Sequence, residues 1–226
     1  LTLKLQLRRF DTLAALSLEA ADCLGGYLWT SGPGNAAVML SGGRTPLAVY
    51  EELCRRRIPA GNALTLLFSD ERNVPESSPD NNYGNARTLI ESLGLPDERV
   101  IRVRTELGWR ESADRYDHEL RRFLAGGGRL RLGLLGMGPE GHTASLFTPA
   151  DVQAGRGRLA IAVARPRPPD RISVTPDLLR QFERVIVLAA GPEKREIVDR
   201  LMSTPETVVA GQALRDLPAA EVWLAD

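Results

Sequence analysis

One alternation constrains this chain more than any other feature. Short apolar runs of strand length are each followed by a polar or glycine-containing turn, and then by apolar residues at helical spacing. Residues 3–8 read as a strand. Leu13, Leu16, Ala20, Leu24 and Tyr27 carry a helical stripe up to about Trp29. Residues 36–40 form a continuous apolar strand, 46–56 a helix along Leu47, Tyr50, Leu53 and Cys54, and 64–68 another strand ahead of a long polar loop, 69–82. A helix over 84–93 stops at Gly94, which suits a left-handed cap. Val100 to Val103 reads as a short edge strand, and 108–125 as an amphipathic helix closed by three glycines. Strand 130–135, glycine-rich loop 136–142 and a helical turn ending before Pro149 come next. Strand 159–164, an Arg/Pro segment at 165–171, a helix near 176–182, strand 184–190, helix 192–202 and a last strand at 222–224 complete the chain. The pattern predicts an α/β fold, a mostly parallel sheet with helices on both faces, in one domain spanning 1–226 without repeat or linker. In such sheets ligands bind beyond the carboxyl ends of the strands, so the loops that leave the strands are where function is expected.

Charge narrows the partners. Twenty-nine basic residues balance twenty-nine acidic ones, so no global field draws the chain to nucleic acid or to an anionic membrane, and selectivity for an anion must come from a local pocket. Only two lysines occur, Lys4 and Lys194, the second in the first turn of a predicted helix. Cys23 and Cys54 fall in predicted helices, away from each other and from either histidine, so neither a zinc site nor any other metal site is expected; they read as free thiols of a reducing compartment. No apolar run approaches the roughly 20 residues of a membrane span. The opening Leu-Thr-Leu-Lys-Leu-Gln-Leu alternates as a half-buried strand does, not as a signal peptide. A cytoplasmic protein, monomeric or a small homo-oligomer, is the expectation.

Four loops carry chemistry. In Ser41-Gly42-Gly43-Arg44-Thr45-Pro46, Thr45 suits an N-cap and Pro46 the first helical position, while the glycines let amides approach an anion at the helix start. Ser69-Asp70-Glu71-Arg72 puts three charges at the mouth of a buried strand: Arg72 offers a planar fork for phosphate or carboxylate, and Asp70 can orient a base or a hydroxyl. Gly136-Met137-Gly138-Pro139-Glu140-Gly141-His142-Thr143-Ala144-Ser145 contains a literal GxGxxG, yet Pro149 interrupts the helix a dinucleotide fold requires, and the next strand leads to Arg165 in place of an acid. An arginine there suits a 2′-phosphate, which keeps a dinucleotide as the lesser alternative. His142 is one of two histidines; the other, His118, sits off the apolar stripe of its helix. A neutral imidazole in a loop at the sheet mouth can deprotonate water near pH 7, and no serine or cysteine stands in a nucleophile pattern, which favours direct water attack. Finally, Pro168-Pro169-Asp170-Arg171 and Gly191-Pro192-Glu193-Lys194 each supply a cation near a strand end. A lysine at a helix start opposes the dipole, a conflict that a bound phosphate removes.

Together these loops resemble the 6-phosphogluconolactonase family. The matching segments are LSGGRTPLAVYEEL at 40–53, SDERNVP at 69–75, LGMGPEGHTASLF at 135–147, PPDRISVTPDLL at 168–179 and GPEK at 191–194, in the family's order. Glu140 stands where an aspartate is frequent, Asn81-Asn82 where Ser-Asn is usual, and Ser173 where a threonine is common. The resemblance implies a three-layer α/β/α sandwich with a Rossmann-like sheet, shared with glucosamine-6-phosphate deaminases and ribose-phosphate isomerases. It also implies a cofactor-free hydrolase acting on 6-phospho-D-glucono-1,5-lactone in the pentose phosphate pathway. His142 is then the general base, oriented by Asp70 or Glu140. Arg72 and loop amides meet the oxyanion or substrate hydroxyls. Ser41, Gly42, Gly43, Arg44, Thr45, Arg171 and Lys194 hold the phosphate, with Gly141 and Thr143 counted among the substrate-binding residues. Two rivals remain: an isomerase or deaminase using Asp70 as a carboxylate base, and a non-catalytic phosphosugar sensor.

Overall fold

The computed structural model describes residues 3–29 and 35–226; Leu1 and Thr2 of the alternating start lie outside them. Six strands form one parallel sheet in the order β1-β9-β8-β5-β2-β3. They are β1 (Lys4–Phe10), β2 (Ala36–Leu40), β3 (Leu64–Phe68), β5 (Arg129–Gly136), β8 (Arg184–Ala190) and β9 (Ala219–Ala225). β2 and β3 are buried along their whole length, as continuous apolar runs require, while β1 at the edge alternates exposed and half-buried residues. Strand periodicity divides the core into two layers. Ala37 and Met39 of β2, Val185 and Val187 of β8, and Val222 and Leu224 of β9 pack with Tyr116 and Leu120 of α4 (Trp109–Ala125) and Val198 and Leu201 of α7 (Arg195–Ser203). Val38 and Leu40, Ile186 and Leu188, and Trp223 face the other way, against Leu16 and Leu24 of α1 (Leu13–Leu28), Val49 and Leu53 of α2 (Arg44–Arg56), and Leu89 of α3 (Asn82–Ser92). Helices on both faces make the predicted α/β/α layers. Among the described residues no helix is long and apolar enough to cross a membrane.

The structure corrects the sequence reading in several places, and the corrections cluster around the site. The segment 69–82 is not loop throughout: Asp70–Arg72 form β4, which pairs antiparallel with β7 (Arg171–Val174), and β7 pairs antiparallel with β6 (Ala160–Val163). This second, three-stranded sheet packs beside α4, and it sets Asp70 opposite Ser173 and Arg72 opposite Arg171. Val100 contributes a single parallel bridge to Leu66 in place of a strand. α2 begins at Arg44 with Gly43 as its cap, so Thr45 is not the N-cap. Gly43 turns the chain with φ +103°, and Pro46 fits because first-turn amides have no intrahelical partner. The helix near Pro149 begins there instead of ending: α5 (Pro149–Ala154) opens with a capping box between Thr148 and Asp151. α6 (Pro176–Leu179) is shorter than expected, and α8 (Val209–Leu214) had no stripe to betray it.

Candidate active site

Loops from the carboxyl ends of β2, β5 and β8 converge with β4 and β7 around one cavity of about 670 Å³. Of the residues singled out from sequence, Ser41, Gly42, Gly43, Arg44, Thr45, Asp70, Arg72, Glu140, His142, Arg171 and Lys194 line it. Gly141 and Thr143 do not. Gly141 has φ +88°, a Cβ there would meet Val208 and Ile197 at 2.7 and 2.8 Å, and its carbonyl accepts from the Ala210 N–H. Thr143 is fully buried and its hydroxyl donates to the Gly136 carbonyl at 2.9 Å. Both pack beneath the loop and are not among the residues that line the cavity.

The β2 loop is held from its own helix. The Ser41 N–H donates to the Tyr50 hydroxyl, which donates back to the Ser41 carbonyl. Ser41 Oγ accepts from the Gly136 N–H and lies 3.1 Å from Ser69 Oγ, tying β2, β3 and β5 together at their ends. Gly42 admits no side chain, since a Cβ would lie 1.9 Å from Asn82 Oδ1. Beyond it, the first-turn amides of α2 face the cavity as donors with no partner in their own helix.

His142 sits on the β5 loop, where the Gly138 N–H donates to the His142 carbonyl and the Gly141 N–H to the Gly138 carbonyl. Room for the ring comes from Gly138, whose Cβ would meet the imidazole at 2.1 Å. Nδ1 lies 3.0 Å from Glu140 Oε1, and the carboxylate pulls on the imidazole proton. Burial pushes the imidazole pKa below its ordinary value against the pull of Glu140 and Asp70; the Arg165 charge pushes the same way as burial. A neutral ring at pH 7 can accept a proton. Burial works on Glu140 in the raising direction, but its own backbone amide, His142 and Lys194 outweigh it and hold the carboxylate below the usual range.

Between the two residues proposed to orient the base, the geometry distinguishes clearly. Glu140 touches His142. Asp70 is occupied: Oδ2 accepts from Ser145 Oγ at 2.7 Å, and Oδ1 from Ser69 Oγ at 2.8 Å and Asn82 Nδ2 at 3.4 Å. Glu71 points away from the cavity and accepts from the amides of Arg72, Asn82 and Tyr83, clamping the start of α3 to β4.

Five cations line the cavity: Arg44, Arg72, Arg165, Arg171 and Lys194. Among the described residues none has a carboxylate within 4 Å, although most arginines elsewhere do. Arg72 donates to the Asp80 carbonyl and Arg171 to the Pro169 carbonyl, contacts that fix direction without cancelling charge. Burial lowers the Arg171 pKa, helped by Arg72 and Arg165; burial also lowers that of Lys194, helped by Arg44 and opposed by Glu193 and Glu140. Unneutralised cations around a concave, partly buried space make an anion site. Sequence reasoning missed Arg165, Phe147, Asn82 and Ser145 as lining residues. Phe147 and Ser145 lie in the GHTASLF block, but nothing in the spacing says that they face inward.

A family model described as "Glucosamine-6-phosphate isomerases/6-phosphogluconolactonase" matches residues 14–225. The chain is similar to the 6-phosphogluconolactonase of Homo sapiens, 34% identical over 197 residues that cover 83% of this chain and 74% of that protein. It is 31% identical over 217 residues to that of Rattus norvegicus, covering 92% and 82%. The fold matches the crystal structure of 6-phosphogluconolactonase from Thermotoga maritima with a TM-score of 0.82 at 27% identity, over 99% of this chain and 100% of that one.

Proposed function

This chain belongs to the glucosamine-6-phosphate isomerase/6-phosphogluconolactonase family, and we propose that it carries out the family's lactonase reaction, hydrolysis of 6-phospho-D-glucono-1,5-lactone to 6-phospho-D-gluconate. The observation that carries this is the joining, in one cavity, of an imidazole kept neutral by burial with five cations that no carboxylate among the described residues cancels. The family also includes isomerases. Their chemistry moves a proton between carbons and calls for a carboxylate base; Asp70, the residue available, already accepts at both oxygens. A sensor would need no base at all.

The α2 first turn with Gly42, Gly43, Arg44 and Thr45, together with Lys194 and Arg171, holds the phosphate. That remote grip fixes the ring so that water meets C1 in productive geometry. His142 takes a proton from the water as its oxygen bonds to C1, and Glu140 steadies the imidazolium. Arg72 stabilises the charge on the carbonyl oxygen. Collapse of the tetrahedral species breaks the C1–O5 bond, O5 receives the proton from His142, and the new carboxylic acid ionises. No cofactor enters these steps. We place the reaction in the cytoplasm, in a single domain of residues 1–226 acting as a monomer or small homo-oligomer. The test is proton release from lactone generated in situ from glucose 6-phosphate, with unphosphorylated glucono-lactone as comparator. The expected result is a rate well above spontaneous opening for the phosphorylated lactone and a much lower kcat/KM without phosphate. A rate at background would end the proposal.

A further inference from the structure

Arg165 belongs to none of the motifs that mark the site, yet it is built into it. It leaves β6 at the head of the Arg/Pro segment, where its backbone N–H donates to Asp170 Oδ1 at 2.9 Å. Its guanidinium carbon lies 3.5 Å from the centre of the Phe147 ring, close stacking that holds a long side chain in one orientation. The same ring lies 4.4 Å, centre to centre, from the imidazole of His142. The two contacts bring the guanidinium within a side chain's reach of the base. Arg165 lines the cavity, is half-buried and has no carboxylate partner among the described residues.

Unpaired cations in a cavity are commonly explained by the substrate's own anion, and here the phosphate already has α2, Lys194 and Arg171. Arg165 is close enough to Arg171 for its charge to be felt there, but it is stacked on the ring that lies against the base. Wherever the attacked carbon sits, its water must be within hydrogen-bonding distance of the base, so an anion gripped from Phe147 lies near the reacting carbon. We propose that Arg165 is a further catalytic residue, a Phe147-stacked guanidinium that binds the C1 oxygens, first as the oxyanion of the tetrahedral intermediate and then as the carboxylate of the product. The inference rests on the lactonase reading. A planar fork suits both species, because each presents two oxygens on one carbon. The position has a second consequence. The charged groups around His142 are Glu140 and Asp70, which favour its protonation, and Arg165, which opposes it, with Lys194 beyond Glu140. Removing Arg165 must therefore raise the imidazole pKa.

The experiment compares wild type, Arg165→Gln and Arg165→Lys in three readouts. In turnover, Arg165→Gln should lower kcat by about 10- to 100-fold with KM changed little, less than the loss of a fully buried oxyanion donor. Arg165→Lys should recover only part of kcat, lacking the fork and the stack. In NMR titration, His142 being one of two histidines, its pKa should rise in Arg165→Gln and return in Arg165→Lys. In calorimetry, Arg165→Gln should weaken 6-phosphogluconate while leaving glucitol 6-phosphate, which lacks the carboxylate, unchanged. Equal weakening of both ligands would move Arg165 to the phosphate and overturn the proposal, as would unaltered kcat and imidazole pKa. If wild type hydrolyses no lactone, the functional reading fails by itself. The calorimetric and NMR readouts then still decide whether Arg165 binds an anion beside His142.

Discussion

On one side of the cavity, loops leaving the parallel strands β2, β5 and β8 offer backbone amides, one imidazole, one ammonium and the guanidinium of Arg44. On the other, the antiparallel strands β4 and β7 and the segment after β6 offer three guanidinium groups, Arg72, Arg165 and Arg171. The parallel wall is shaped by backbone: Gly42 and Gly138 are in van der Waals contact with Asn82 and His142, and neither position has space for a methyl group. The antiparallel wall is shaped by side chains that hold other side chains, through Asp70 with Ser69, Ser145 and Asn82, and through Phe147 under Arg165. The first wall can therefore be damaged by adding an atom, the second by removing one. On the proposed mechanism the proton-transfer step falls on the parallel wall, and three of the five cations stand on the antiparallel one.

The largest effect expected falls on the parallel wall. His142→Asn should lower kcat by about 10²- to 10⁴-fold, measured against spontaneous opening of the lactone, while KM and melting temperature move little. Because burial lowers the imidazole pKa, the wild-type kcat should stay flat through neutrality and fall only below the ordinary histidine range. That acid limb should vanish in the variant. Near-full activity in His142→Asn would transfer the base to a carboxylate and dissolve the distinction between the walls. Gly138→Ala adds one methyl 2.1 Å from the ring. A displacement of about 1 Å in a reacting group can cost roughly 10²-fold, so kcat should drop by that order with the fold intact. A variant as active as wild type would show that the loop gives way and does not set the ring.

Cations should behave differently. Lys194→Ala and Arg171→Ala each remove a charge assigned to the phosphate, and charged hydrogen bonds contribute about 1.5–3 kcal/mol, so KM should rise roughly tenfold to a hundredfold with kcat nearly held. The pair is informative because Lys194 stands on one wall and Arg171 on the other. If Arg171→Ala instead lowers kcat at unchanged KM, the antiparallel wall takes part in chemistry more widely than through Arg72 and Arg165.

The same division explains what was legible in the sequence. β2 and β3 announce themselves as unbroken apolar runs ending in Ser41-Gly42-Gly43 and Ser69-Asp70, because a strand buried on both faces must be apolar throughout. β4 has the sequence Asp-Glu-Arg and carries no apolar residue to give a period; its pairing depends on Ser173, far along the chain. Gly141 and Thr143 belong to the most specific motif yet do not line the cavity, since a motif also records what a loop needs to stay folded. Arg165 enters the sequence reading only through the dinucleotide alternative, since its place in the cavity depends on a ring eighteen residues earlier that only the tertiary structure brings beneath it.

The smallest effect concerns how the antiparallel wall is anchored. Glu71 is buried and accepts three amide hydrogen bonds at 2.7–2.9 Å, joining β4 to the start of α3. Burial raises its pKa from 4.5 to about 7, against those three amides and with the Asp70 charge adding to the rise. Between pH 4.5 and about 7 the folded chain then holds a proton that the unfolded chain has released. The associated stability is fully present below pH 4.5 and is lost as pH rises through about 7. Glu71→Gln cannot titrate, so the difference in unfolding free energy between wild type and variant isolates this group. Chemical denaturation at a series of pH values should show wild type losing ground to the variant by on the order of 1–3 kcal/mol across the window, apart from a constant offset for the altered acceptor. A difference that stays flat, or that moves in wild type's favour as pH rises, would mean that the three amides prevail over burial. Glu71 would then be an ordinary carboxylate cap, anionic in the folded chain throughout the working range.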